Sequence, residues 1–163
     1  RRAWHAGVAC WRNERDVNGH SIGVELVNPG HEFGYRAFAE EQMKALIGLC
    51  PEILARHPIA PRNVVGHSDV APVRKQDPGE LFDWPRLAAG GIGLWPGTPT
   101  PLAVPEGEVS VMLGAYGYDT GVTEADRRAA ITAFQRHFRT YRVDGIADAE
   151  TAGRVSALLR LAG

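Results

Sequence analysis

Between Ala39 and Arg56 the apolar residues Met43, Leu46, Ile47, Cys50, Ile53 and Leu54 recur at the spacing that lines one face of a helix. Pro51 falls inside that pattern. It lacks a backbone donor and its ring crowds the Ile47 carbonyl, so a kink or break is predicted there. The run Ser21-Ile22-Gly23-Val24-Glu25-Leu26-Val27 alternates instead. Ile22, Val24 and Leu26 share one face of a predicted strand, and Gly23, Glu25 and Val27 the other. Glu25 interrupts an otherwise apolar run, which places its carboxylate either at a site or at an exposed edge. Asn63-Val64-Val65-Gly66 reads as a short buried strand that delivers His67 at its C-terminal end, where catalytic groups and ligands often emerge. Short strands mixed with one long helix predict an α/β (α+β) domain up to about residue 95.

Residues 96–105 are rich in proline and predict an extended, semi-rigid linker. From 106 to 163 the pattern is helical, with three candidates. The first runs from Glu108 to Ala115. Thr123-Glu124-Ala125-Asp126 resembles a capping box opening a helix through Ala130, Ile131, Phe134 and Phe138. Asp148 can cap a last helix carrying Ala152, Val155, Leu158 and Leu159. Asp144-Gly145 supplies the turn between the last two. The expected organisation is therefore a domain over 1–95, a linker over 96–105 and a small three-helix domain over 106–163.

Composition narrows the function classes. The 163 residues are 44% hydrophobic and 23% charged, an ordinary globular balance, and the formal net charge of -1 gives no general pull toward nucleic acid. No apolar run approaches the roughly 20 residues needed to cross a bilayer. Two cysteines, Cys10 and Cys50, are too few for a disulfide framework or a cysteine-based zinc site; Cys50 on the helix stripe is expected to be a buried free thiol. A monomer is the default expectation.

The chemistry concentrates in Val65-Gly66-His67-Ser68-Asp69-Val70-Ala71-Pro72-Val73-Arg74-Lys75-Gln76-Asp77-Pro78-Gly79. Pro72, Pro78 and Gly79 predict a shaped loop rather than a helix or strand. Such a loop can turn an imidazole, His67, and a carboxylate, Asp77, toward one point, with Lys75 beside them. Zinc accepts nitrogen and oxygen ligands, and its catalytic sites use three protein groups plus a water. One ligand is unaccounted for. Alone, His67 would read as a loop histidine and Asp77-Pro78 as a turn; the spacing favours the metal. Asp69, only two residues from His67, is expected to stabilise the loop or support the ligands. Lys75 suits stabilisation of a developing oxyanion, and Glu25 suits a general base.

Together these segments resemble the zinc-dependent N-acetylmuramoyl-L-alanine amidases, bacterial relatives of the peptidoglycan recognition proteins, in the branch with an appended peptidoglycan-binding domain. The resemblance rests on Arg2-Ala3-Trp4-His5-Ala6-Gly7, on Asn18 with Ser21-Ile22-Gly23-Val24-Glu25-Leu26, on Gly66-His67-Ser68-Asp69, and on Lys75-Gln76-Asp77-Pro78-Gly79 continuing to Trp84. It implies a mixed central sheet flanked by helices, and zinc held by two histidines and an aspartate. It also implies that His67 and Asp77 are ligands, Glu25 the catalytic glutamate, Lys75 the assisting lysine, and Trp4 and His5 part of the substrate groove. The family's first histidine ligand lies on a strand upstream of the Trp4-His5-Ala6-Gly7 segment, where this chain starts. It is thus expected before Arg1, with His5, His20 and His31 unmatched to its position.

Ala133-Phe134-Gln135-Arg136-His137-Phe138 and Val143-Asp144-Gly145-Ile146-Ala147-Asp148-Ala149-Glu150-Thr151 resemble the peptidoglycan-binding module of wall hydrolases. Phe134 and Phe138 are expected in its core, and Gln135 and Arg139 either on a solvated face or facing sugar or peptide. The implied function is hydrolysis of the amide between N-acetylmuramic acid and L-alanine in peptidoglycan or muropeptides, in the periplasm or cell envelope. The alternatives are a peptidoglycan-recognition protein that binds without cleaving, and a fragment made inactive by the absent histidine.

Overall fold

The computed structural model describes residues 3–163; Arg1 and Arg2, the latter opening one of the matching segments, lie outside the described residues. The regular elements in chain order are α1 (Val17–His20), α2 (Glu40–Arg56), a 3-10 turn (Pro61–Asn63), α3 (His67–Val70), α4 (Trp84–Ala89), α5 (Glu106–Tyr116), α6 (Glu124–Phe138) and α7 (Ala149–Leu161).

The expected mixed central sheet is absent among the described residues, where β pairing is confined to an isolated bridge between Trp11 and Glu14. The architecture is helical. A strand persists only beside a neighbour that takes up its N–H and C=O groups, and alternation specifies a face, not a neighbour. Nothing pairs along residues 21–27 among the described residues, and Ile22 and Val24 stand 49% and 43% exposed. The Val27 carbonyl instead accepts a hydrogen bond from the Gln42 side chain on α2 at 2.9 Å. The second expected strand fares likewise: Asn63 closes the 3-10 turn, and Val64 and Val65 lead directly into α3.

The helix over residues 39–56 forms as the apolar stripe predicts, with Met43 and Leu46 buried and Glu40 and Glu41 at its positive end. Pro51 does not end it. Pro51 is solvent-exposed, so water can satisfy the Ile47 carbonyl that loses its partner. Cys50 is a free thiol, half-buried rather than buried. Asp83 caps α4 by accepting from the Arg86 N–H, and the Arg86 guanidinium reaches back to Glu40 at 2.6 Å, tying α4 to α2. Met43, Leu46, Phe82, Trp84, Leu87 and Ile92 form the smaller of two apolar clusters.

The larger cluster lies among α5, α6 and α7, where Val109, Leu113, Ile131, Phe134, Phe138, Val155 and Leu158 are almost fully buried. It also takes in Ala6, Trp11, Val17, Val70 and Ala71, so apolar packing is continuous between the first region and the C-terminal helices. The proline-rich segment lies along α7: the Leu102 N–H donates to the Ala149 carbonyl at 2.7 Å, and the Thr100 carbonyl occupies the space a side chain on Gly153 would need.

Both expected caps are present. The Asp126 N–H donates to Thr123 Oγ1 at 3.1 Å while the Thr123 N–H donates to Asp126 Oδ2 at 3.0 Å, and the Thr151 N–H donates to Asp148 Oδ1 at 2.9 Å. Gln135 and Arg139, however, face neither solvent nor a ligand; both are completely buried. Gln135 Oε1 accepts from the Asp144 and Gly145 N–H groups, and its amide donates to the Ile146 carbonyl at 2.9 Å. Arg139 donates to Asp148 at 2.5 Å, Asp144 at 2.9 Å and the Arg142 carbonyl at 3.0 Å. Together they fasten the 144–148 turn onto α6.

Replacing Phe134 with alanine opens a cavity where the two regions share their core, and is expected to cost about 3–5 kcal/mol in urea unfolding. Burial opposes ionisation of Asp144 and Asp148, but backbone N–H donors and Arg139 outweigh it and hold both carboxyls below the usual range. Depressed folded-state values stabilise the fold above the unfolded carboxylate value of about 4 and lose that contribution as pH falls through the folded values. Thermal scans across that window should show a falling melting temperature, with a shallower fall in the Arg139→Gln variant.

Candidate active site

Gly66 leads into α3 and His67 is its first residue, so the segment expected to be wholly loop begins with one helical turn. The chain then loops back through Pro72–Gln76 to Asp77. The Ser68 N–H donates to the Asp77 carbonyl at 2.8 Å, closing the loop beside its own start. A Cβ on Gly66 would lie 2.7 Å from Pro78 Cδ, so the absence of a side chain lets the two ends approach. Tyr35 fixes the far end. Its hydroxyl donates to the Pro78 carbonyl at 2.7 Å and accepts from the Leu81 N–H at 2.8 Å, and burial pushes its pKa up to about 12.

The result brings His67 Nδ1 to 3.0 Å from Asp77 Oδ2, while His67 Nε2 stands 3.1 Å from the Ala6 carbonyl. A carbonyl only accepts, so Nε2 carries a proton. In a neutral ring, Nδ1 then turns a lone pair toward the carboxylate. Two acceptors at that distance call for a proton or a cation between them, and a backbone carbonyl on the far nitrogen is the usual way to fix a metal-binding imidazole. Where the proton is there instead of a cation, burial opposes ionisation of Asp77, but the hydrogen bond and charge of the protonated His67 ring, with Lys75 nearby, outweigh it and hold its carboxyl below the usual range. The pair therefore suits a zinc ion as one nitrogen and one oxygen ligand. Among the described residues no group of three or more His, Cys, Asp or Glu converges. His5 faces Ser21 Oγ at 2.7 Å, His20 faces Glu14 at 3.0 Å and His31 faces Glu80 at 3.0 Å.

The Ala6 segment is the hub around this pair. Its carbonyl also accepts from Arg74 Nη2 at 2.7 Å, and its N–H donates to the buried Asn18 Oδ1 at 2.9 Å. His5 stacks against the backbone of Gly23, where an added Cβ would sit 2.7 Å from the ring. Ser21 and Gly23 thus lie beside His5, the residue before Ala6. Glu25 is exposed and makes no hydrogen bond or ion pair among the described residues. Trp4 is 78% exposed. Lys75, half-buried, donates its backbone N–H to Ala71 at 2.9 Å. With Arg74 it lines a cavity of about 360 Å³ whose opposite wall is α6, including Arg128 and Arg136. His67 and Asp77 are brought together; the His5 ring instead bonds the Ala3 carbonyl and Ser21 Oγ.

Sequence reasoning missed the partners of Asp69. Its carboxylate is fully buried and accepts from the Gly66 N–H at 2.7 Å, the Tyr118 hydroxyl at 2.6 Å and His137 Nδ1 at 2.7 Å. The one available signal was His137 itself, a polar residue wedged beside Phe134 and Phe138 on the apolar stripe of α6. Burial, then the Asp69 charge, pushes the Tyr118 phenol well above its ordinary pKa.

Residues 1–80 match the N-acetylmuramoyl-L-alanine amidase family. The N-acetylmuramoyl-L-alanine amidase AmiD of Escherichia coli is 42% identical over 174 residues, covering 96% of this chain, and the chain spans 63% of that relative's length. The solved complex of AmiD from E. coli with anhydro-N-acetylmuramic acid-L-Ala-D-gamma-Glu-L-Lys superposes with a TM-score of 0.88 at 41% identity, over 98% of this chain and 69% of that one. AmpDh3 of Pseudomonas aeruginosa superposes with a TM-score of 0.88 at 35% identity, over 99% of this chain and 70% of that one. With the His67–Asp77 pair lying inside the matched residues, the chain belongs to the N-acetylmuramoyl-L-alanine amidase family.

Proposed function

We propose that the protein hydrolyses the amide between the lactyl group of N-acetylmuramic acid and L-alanine in peptidoglycan or its soluble fragments. The convergence of His67 Nδ1 and Asp77 Oδ2 at 3.0 Å, with Nε2 tied to the Ala6 carbonyl, carries the reading. It is supported by the family and by the muropeptide named in the AmiD complex. His67 and Asp77 would hold a zinc ion together with a third ligand. When bound, zinc supplies Lewis acidity toward water and the scissile carbonyl.

The remaining work belongs to side chains of this chain. Glu25 takes a proton from the attacking water as the new C–O bond forms and the carbonyl oxygen becomes an oxyanion, then passes it to the amine of L-alanine as the C=O re-forms and the C–N bond breaks. Lys75 donates to the oxyanion that develops on the carbonyl oxygen. Trp4 and His5 line the approach to the sugar and peptide. Residues 106–163 act as a wall-binding unit, consistent with a groove of about 530 Å³ between α5, α6 and Gly145–Ala147. Its ligand contacts fall on exposed surfaces, since Gln135 and Arg139 are buried. Among the described residues no helix is long and apolar enough to cross a membrane. A wall-binding unit suits work in the periplasm or cell envelope.

The test is release of the L-alanine-headed peptide from an N-acetylmuramoyl peptide, followed by mass spectrometry. Glu25→Ala and Lys75→Ala should each lower kcat by about 10²–10⁴-fold. Full activity in Glu25→Ala would show that the base lies elsewhere. A strong chelator should abolish turnover, with zinc restoring it. A wild-type protein that binds muropeptides tightly but releases no peptide, with zinc supplied, is a recognition protein rather than an enzyme.

A further inference from the structure

We propose that Tyr118 and His137, both outside the family-matched residues, are positioning residues for the hydrolytic site. They hold Asp69, and through it the turn that presents His67. The inference rests on the amidase reading above.

Asp69 is completely buried among apolar side chains, and its two oxygens receive three donors. The Gly66 N–H belongs to the residue immediately before His67, so the Gly66–Asp69 bond closes the turn across residue 67. The two other donors come from distant parts of the chain, Tyr118 after α5 and His137 near the end of α6. Neither donor is free to wander. The His137 ring is stacked on Trp84 with centroids 3.6 Å apart and on Phe138 at 3.7 Å. The Tyr118 ring packs edge-on against Trp11 at 5.2 Å and Phe134 at 5.9 Å. A buried carboxylate keeps its place only while its donors keep theirs. The direction in which His67 faces Asp77 is therefore set partly by the C-terminal helices. Groups that orient ligands from behind commonly cost 10–100-fold in metal affinity or activity when removed.

The test uses the full-length protein and the variants Tyr118→Phe, His137→Ala and His137→Asn. Tyr118→Phe deletes one hydroxyl at constant ring packing, and His137→Asn places an amide donor where Nδ1–H stands. Tyr118→Phe and His137→Ala should lower kcat about 10–100-fold with KM unchanged, and weaken zinc by a similar factor in competition with a chromophoric chelator. His137→Asn should recover most of the loss. If His137→Ala does not fold, Tyr118→Phe decides alone. Folded variants with wild-type kcat and wild-type zinc affinity overturn the inference. So does a loss of activity that tracks only the unfolded fraction, or a rise in KM alone. An inactive wild type would instead count against the amidase reading, and the zinc titration would still report on positioning.

Discussion

A single buried carboxylate constrains the rest of this structure. Asp69 is removed from water entirely, and an ionised group in that position is tolerable only with good donors on both oxygens. The donors come from Gly66, Tyr118 and His137. Meeting that demand requires the 66–70 turn to sit against α6 and the end of α5, and that seating closes the larger apolar cluster. The Gly66–Val70 turn, the Pro72–Asp77 loop and the C-terminal helices thus form one packed unit, with the His67–Asp77 pair on its rim.

Local chemistry was legible in the sequence because it depends on few neighbours. The stripe from Met43 to Leu54 produced α2, and Thr123 and Asp148 capped their helices as their positions required. Of the kink or break expected at Pro51, the break does not occur, since α2 runs through it: the rule that proline breaks a helix weighs less where the helix face is wet. The strands failed for a different reason. Residues 21–27 have the alternation of a strand, but pairing is a property of two segments, and alternation is written in only one of them.

The candidate site was half legible. Spacing and residue type pointed to His67 and Asp77 converging, and the structure brings them to hydrogen-bonding distance. Asp69 was expected to support the loop, which it does by accepting from the Gly66 N–H. Its partners lie 49 and 68 residues further along the chain, and nothing in a one-residue pattern points across that distance. Gln135 and Arg139 show the converse. Polar residues on a helix suggest a solvated or ligand-facing surface, yet both are consumed in holding the 144–148 turn.

The most direct test of this account is native-state hydrogen exchange on the wild-type protein. The Gly66 amide is bonded to Asp69 and the Ser68 amide to the Asp77 carbonyl, whereas the amides of α6 are held by the larger core. If the turn and the C-terminal helices are one cooperative unit, the Gly66 and Ser68 amides should exchange with the same opening free energy as the central amides of α6. Their exchange at a much lower free energy, as a turn opening while α6 stays closed, would contradict it.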